Sequence, residues 1–273
     1  MNMEISFFKK LRILLMALST IHRRPRACFF IDFVKPIDGP RYVEFAYLIN
    51  FLEKYQLKNL HVLDVSSPHT IDYLLAKNNY ITKVNYDERE KRYIRPDDRL
   101  VFKREDATKL SFADNSFDFT ISISVIEHIY KQYADAVREM VRVTKSGGYV
   151  YLTFPVAKQH VEEWVTDNVY VNQYNQSGNY FFQYRFSQDD MIEIIRSATN
   201  CDVVESDIFW EKKDGYYDRM IGKLKNKDMN RAVRLIRIPF IHLWYGFNLF
   251  KKESGDFPQA TSCGNMHVVL KKR

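Results

Sequence analysis

"VLDVSSPHTIDYLLAKNNYITKVNYD", residues 62–87, carries the fold in miniature. Leu60–Val65 is an apolar run broken only by His61 and Asp64. Ile71, Leu74 and Leu75 follow at helical spacing, and Ile81–Tyr86 is a second short run. Strand, helix and strand in that order predict parallel strands joined by a crossover helix. The first strand ends near an acid. The turn after it reads Ser66, Ser67, Pro68, His69, Thr70, where nucleotide-binding strands run into glycines. Asp87 falls 23 residues after Asp64, close to the spacing of an acid that accepts both hydroxyls of a ribose.

The same alternation continues outward. Leu100–Lys103 reads as a third strand and Phe117–Ser124 as a fourth. Ala134, Val137 and Val141 mark a helix that ends near Gly147 and Gly148, and Tyr149–Phe154 is a fifth strand closed by Pro155. Val203–Trp210 and Met266–Leu270 supply a sixth and a seventh. The expected fold is α/β: a Rossmann-like, seven-stranded, mostly parallel sheet with helices on both faces. Around it we expect an amphipathic arm over residues 1–40 and a domain over 41–273 with its core at 60–155. Aromatic 156–182 and the insertion 211–262, which Pro239 breaks, should form the substrate-facing elements.

Before the core, Phe7, Leu11, Leu14, Leu18 and Ile21 make one helical stripe among basic residues. It suits either the protein's own core or an anionic membrane surface. Tyr42, Phe45, Ile49 and Leu52 make the stripe of a second helix opened by Gly39 and Pro40. A net charge of +7 favours an anionic contact, or simply a basic solvated surface. Cys28, Cys201 and Cys263 are few and far apart, which argues against a disulfide framework or zinc site and fits a reducing cytoplasm. The apolar core of the N-terminal stretch is interrupted by Arg12 and has no clean cleavage site, so it does not read as a signal peptide.

In an open parallel sheet the informative residues are those at the strand exits. Four exits carry chemistry: Asp64 with the 66–70 turn, Asp87, Asp106 with Ala107, and Ser124 with Glu127 and His128. The motifs "VLDV", "DATKLSFADNSFDFTISISVIEHI" and "AVREMVRVTKSGGYVYLTFP" together resemble the class I S-adenosylmethionine-dependent methyltransferases, methyltransferase type 11-like, over about residues 60–155. The resemblance implies S-adenosyl-L-methionine as cofactor. It places Asp64, Ser66 and Ser67 near the methionine part, Asp87 at the ribose, Asp106 and Ala107 at the adenine, and Ser124 along the cofactor. The departure is the first motif, whose glycines are replaced by Ser66, Pro68 and Thr70. A serine turn keeps a small side chain, whereas proline removes an amide donor.

Methyl transfer from a sulfonium needs a nucleophile held in line and, for a hydroxyl or amine, a base. His128 is the candidate catalytic residue; Tyr174, His160 and Tyr184 are weaker acceptor-side candidates. Arg41 and Glu44 lie before the core, and Arg41 can pair with the cofactor's carboxylate or form a surface salt bridge. The expected acceptor is a small molecule, a glycan or a lipid-linked compound, methylated on O or N, in the cytoplasm or on the inner membrane face. A nucleic acid partner is disfavoured, because the basic residues interleave with long aliphatic runs rather than lining a polar groove. An inactive module that keeps the fold without the cofactor stays open.

Overall fold

The computed structural model describes residues 5–171, 173–225, 231–252 and 263–273. Part of the expected 211–262 insertion therefore lies outside the described residues. The chain opens with α1 (Phe7–Ser19), α2 (Phe29–Val34) and α3 (Arg41–Lys54). Then come β1 (His61–Val65), α4 (His69–Leu75), β2 (Tyr80–Asn85), β3 (Leu100–Arg104) and β4 (Phe117–Ile123). Next are α5 (Tyr133–Val143) and β5 (Thr144–Val156), then β6 (Val161–Val165), β7 (Asn175–Gln176) and β8 (Asn179–Arg185). Last are α6 (Gln188–Ser197), β9 (Cys201–Glu211), α7 (Tyr216–Lys225), α8 (Arg231–Asn248), β10 (Phe250–Lys252) and β11 (Gly264–Lys272).

The main sheet has eight strands in the order β10-β9-β11-β5-β4-β1-β2-β3. β3, β2, β1, β4 and β5 are parallel, and β11 runs antiparallel between β5 and β9. The mixed α/β sheet is as expected, with one strand more: β10 adds an antiparallel edge to β9. Strand order reverses at β1 and β4, which places the crevice for a ligand beyond their carboxyl ends.

Two apolar clusters cover the two faces. Side chains alternate along each strand, so Val62 and Tyr151 belong to one cluster, and Leu63, Val150 and Leu152 to the other. The first face is covered by α1, α3, α4 and α8, the second by α5, α6 and β8. Helix α3 is buried on nearly every side from Tyr42 to Leu52, so its expected stripe is part of an all-round core helix. Ser187 and Asp190 form a capping box at the start of α6.

Three expectations need correction. The inward residues of α1 are Lys10, Ile13 and Ala17, one step round from the expected stripe. Lys10 can face inward because its Nζ donates to the Phe247 carbonyl at 3.2 Å. Helix α5 ends at Val143, and β5 already includes Gly147, Gly148 and Pro155. Helix α8 runs on through Pro239. The aromatic segment from 156 onward is ordered as a small antiparallel sheet, β6-β8-β7. Among the described residues no helix is long and apolar enough to cross a membrane.

Candidate active site

The rebuilt turn after β1 keeps a left-handed residue where a glycine would serve: Ser66 has φ 59°. Its amide and hydroxyl both donate to the Val84 carbonyl, at 2.9 and 3.2 Å. Beneath it, Asp64 accepts from the Ser67 amide at 3.1 Å and from Lys83 Nζ at 2.7 Å. Lys83 Nζ also donates to the Ser67 carbonyl and pairs with Asp72 of α4 at 3.0 Å. All three charged groups are fully buried. Burial alone would raise the Asp64 carboxyl, but Lys83 holds it below the usual range. Burial and the Asp64 charge push Asp72 well above it, so one proton shared in the triad balances the charges.

As placed, the Asp64 side chain reaches no open space. Ser67 is also buried, its hydroxyl accepting from the Ile123 amide at 3.0 Å. These two residues shape the turn from inside. The arm closes over it: Thr70 donates to the Pro36 carbonyl at 3.1 Å, and Asp32 bridges Arg24 and His69 at 3.1 and 3.4 Å. The picture of Asp64, Asp87 and Asp106 converging on one open groove therefore does not hold for Asp64.

At the next two exits the acids are engaged locally. Asp87 caps the following turn and takes Arg89 on both oxygens, at 2.9 Å from Nε. Exposed Asp106 accepts from the amide and hydroxyl of Thr108 through Oδ1, at 2.8 and 2.7 Å. Ala107 packs part-buried against the second apolar cluster.

The exits of β4 and β5 gather the richest chemistry. Ser124, at φ 48°, donates to Glu44 Oε1 at 2.6 Å. Glu44 also takes Thr153, Asn265 and Arg41, at 2.8, 3.1 and 2.6 Å. Glu44 is fully buried, so the Arg41–Glu44 pair is an internal one rather than the surface contact weighed above. Burial would raise Glu44, but Arg41 keeps it ionised below its ordinary range.

A pocket of about 140 Å³ opens beside this network, lined by Arg41, Ser124, Glu127, His128, Tyr170 and Tyr217 among others. Glu127 Oε2 is buried with no hydrogen bond, and burial pushes its carboxyl up to about 8. His128 Nδ1 donates to the Phe182 carbonyl of β8 at 2.6 Å, which leaves Nε2 as the acceptor nitrogen. The Tyr170 hydroxyl lies 3.5 Å from that Nε2. Burial, with the nearby Arg41 charge, lowers His128 to about 4, so the ring is neutral at ordinary pH.

The weaker acceptor-side candidates sit elsewhere. Tyr174 stacks on Tyr130 at 4.2 Å, His160 pairs with Asp190 at 2.9 Å, and the Tyr184 hydroxyl accepts from the Lys131 amide at 3.2 Å. Tyr170 and Tyr217 take the place expected of them. Nothing in their local spacing marks them; the β6–β7 connection, where Tyr170 stacks on Phe182 of β8, and α7 bring them in.

Comparison with known proteins bears on the fold. A family model described as a methyltransferase domain matches residues 64–152. Over those residues the chain is similar to the class I, S-adenosylmethionine-dependent methyltransferases. The chain is 35% identical over 68 residues to phthiotriol/phenolphthiotriol dimycocerosates methyltransferase 1 of Mycobacterium ulcerans (strain Agy99). That match spans 25% of each chain, so the domain covers about a quarter of its curated relative's length. Among solved structures, coclaurine N-methyltransferase bound to N-methylheliamine and SAH superposes with a TM-score of 0.54 at 17% identity, covering 99% of this chain and 89% of that one. The [4+2]-cyclase SpnF does so at 0.52 and 14%, covering 97% and 95%. One fold thus carries both a transferase and a cyclase, so the domain's activity has to be argued from its site.

Proposed function

We propose that the protein is an S-adenosylmethionine-dependent methyltransferase acting on O or N of a small-molecule, glycan or lipid-linked acceptor. The pocket at the β4 and β5 exits carries the reading. There a guanidinium (Arg41) and a buried carboxyl with an unpartnered oxygen (Glu127) face one cavity beside Ser124. A cation beside a proton acceptor suits the carboxylate and ammonium of an amino-acid end. Bringing an ammonium to Glu127 would draw off its proton and satisfy Oε2. Exposed Asp106, whose bonds to Thr108 use Oδ1, suits the exocyclic amine of adenine through Oδ2. Asp87 suits the ribose once Arg89 swings aside.

When bound, the cofactor supplies a methyl group on a positively charged sulfur. The protein orients the acceptor in line and keeps water out. His128 Nε2 would take the O–H or N–H proton that the acceptor loses on methylation. Phe182 holds the tautomer this requires. The separated free cysteines fit a cytoplasmic site of action, and the basic amphipathic arm fits the inner face of a membrane.

Isothermal titration of the whole chain with S-adenosylhomocysteine tests the reading. Binding should be clear in the unaltered protein and about tenfold weaker in Glu127→Gln. A chain that binds none is an inactive module on the same fold.

A further inference from the structure

Glu44 lies in α3 with no exposed surface, and its carboxylate is ionised. A buried charge of that kind persists only where donors surround it. Four do, each from a different part of the chain. Arg41 Nη1 reaches Oε2 at 2.6 Å from the first turn of α3. Oε1 takes the Ser124 hydroxyl at 2.6 Å from the β4 exit, the Thr153 hydroxyl at 2.8 Å from β5 and the Asn265 amide at 3.1 Å from β11. These three strands are neighbours in the sheet, so one carboxylate ties α3 to all of them.

Fastening a helix to a sheet would explain such a cluster by itself. Two observations go further. Three of the four donors, Arg41, Ser124 and Asn265, line the pocket, and Glu44 is not among its lining residues. The network is also complete toward Glu44 and incomplete beyond it. A carboxylate only accepts, so Asn265 must turn its amino group to Glu44. Its oxygen Oδ1 is then buried with no hydrogen bond, as is Glu127 Oε2 on the same pocket. Two bare acceptors suit the donors of a bound molecule, not a fastening. Among the described residues Glu44 is the one carboxylate paired with Arg41, and the pairing restricts a long side chain that would otherwise sample many rotamers.

We propose that Glu44 is a positioning residue: from behind the wall it holds the Arg41 guanidinium ready for the carboxylate end of the cofactor. The role assumes the methyltransferase reading of the pocket, in which Arg41 touches the cofactor and Glu44 acts through it.

Calorimetry with S-adenosylhomocysteine on the whole chain tests the role. Glu44→Gln keeps an oxygen for Ser124, Thr153 and Asn265 but turns an amino group on the guanidinium. It should bind at least about tenfold more weakly than the parent. Arg41→Gln should lose a similar factor, and the double variant no more than Arg41→Gln alone. Glu44→Asp keeps a charge in the core but is one methylene short; it should lose about threefold or more, and it carries the test if Glu44→Gln does not fold. Glu44 variants that melt lower yet bind like the parent show a fastening alone and overturn the role. So do losses that multiply in the double variant.

A second readout needs no cofactor. Phenylglyoxal modification, mapped by mass spectrometry, should reach Arg41 several-fold faster in Glu44→Asp than in the parent, while Arg24, buried against Asp32, stays protected. If the parent binds no S-adenosylhomocysteine but Arg41 is unmasked in this way, the positioning stands and the methyltransferase reading falls. An unchanged Arg41 rate, or Arg24 unmasked equally, overturns the positioning.

Discussion

Asp64 and Lys83 face each other in register on the parallel strands β1 and β2, and their charged ends meet at 2.7 Å under the turn. Asp72 reaches the same lysine from α4 at 3.0 Å. Removing one member of a buried ionic cluster strands the others without water or a partner. Lys83→Met should therefore destabilise the protein by about 3–5 kcal/mol. Adding Asp64→Asn should restore part of that, because Asp72 already holds a proton and Asp64 is the charge left stranded. Urea unfolding of both variants decides; a single variant as stable as the parent would refute the stitched turn.

The left-handed Ser66 predicts an asymmetry between two substitutions. Ser66→Gly relieves the φ 59° strain but loses the hydroxyl bond to Val84, so stability should change by less than about 1 kcal/mol. Ser66→Val puts a branched side chain in that region and should cost about 1–2 kcal/mol or more. Equal melting temperatures for the two would mean the turn adopts another shape.

Glu127 and His128 make opposite contributions to pH stability. The unfolded Glu127 loses its proton above about 4.5, while the folded carboxyl keeps it up to about 8. The unfolded state then binds fewer protons, so stability falls as pH rises through that window, by an order of a few kcal/mol. Glu127→Gln should flatten the fall and melt higher than the parent at pH 8. On the acid side, unfolded His128 takes a proton below about 6.5 and the folded ring resists down to about 4, so stability falls again as pH drops. Melting curves from pH 4 to 9 read both; a parent and Glu127→Gln of identical slope would remove the buried acid from the account.

Turnover should depend on His128 without binding depending on it. His128→Ala is expected to slow label transfer from methyl-labelled cofactor to a lipid extract by about 10²-fold or more, with S-adenosylhomocysteine affinity held. Transfer at the parent's rate would leave proton removal to water.

The sheet was legible because parallel strands buried on both faces read as short apolar runs between helical patterns, as at Leu60–Val65 and Ile81–Tyr86. The acids at the strand exits were legible for the same reason, yet their surroundings were not. A lysine in the middle of "ITKVN" was the available signal for the ionic floor of the turn, since a lysine inside an apolar strand needs a partner. Helix α1 misled because a lysine occupies its inner face while apolar Leu14 and Leu18 line a groove. Tyr170 and Tyr217 reach the pocket from distant segments, and no local spacing encodes that. β10 pairs only three residues, too few for a pattern to declare itself.

The Phe182 carbonyl that orients His128 belongs to the main chain of β8. No point substitution at 182 removes a carbonyl oxygen. The ring at that position, which packs edge-on against His128 at 5.4 Å and stacks on Tyr170, can change while the oxygen that fixes the tautomer stays. Relatives that diverge there would retune which acceptors fit while inheriting the same reactive nitrogen, so substrate range and reaction type can evolve at separate rates.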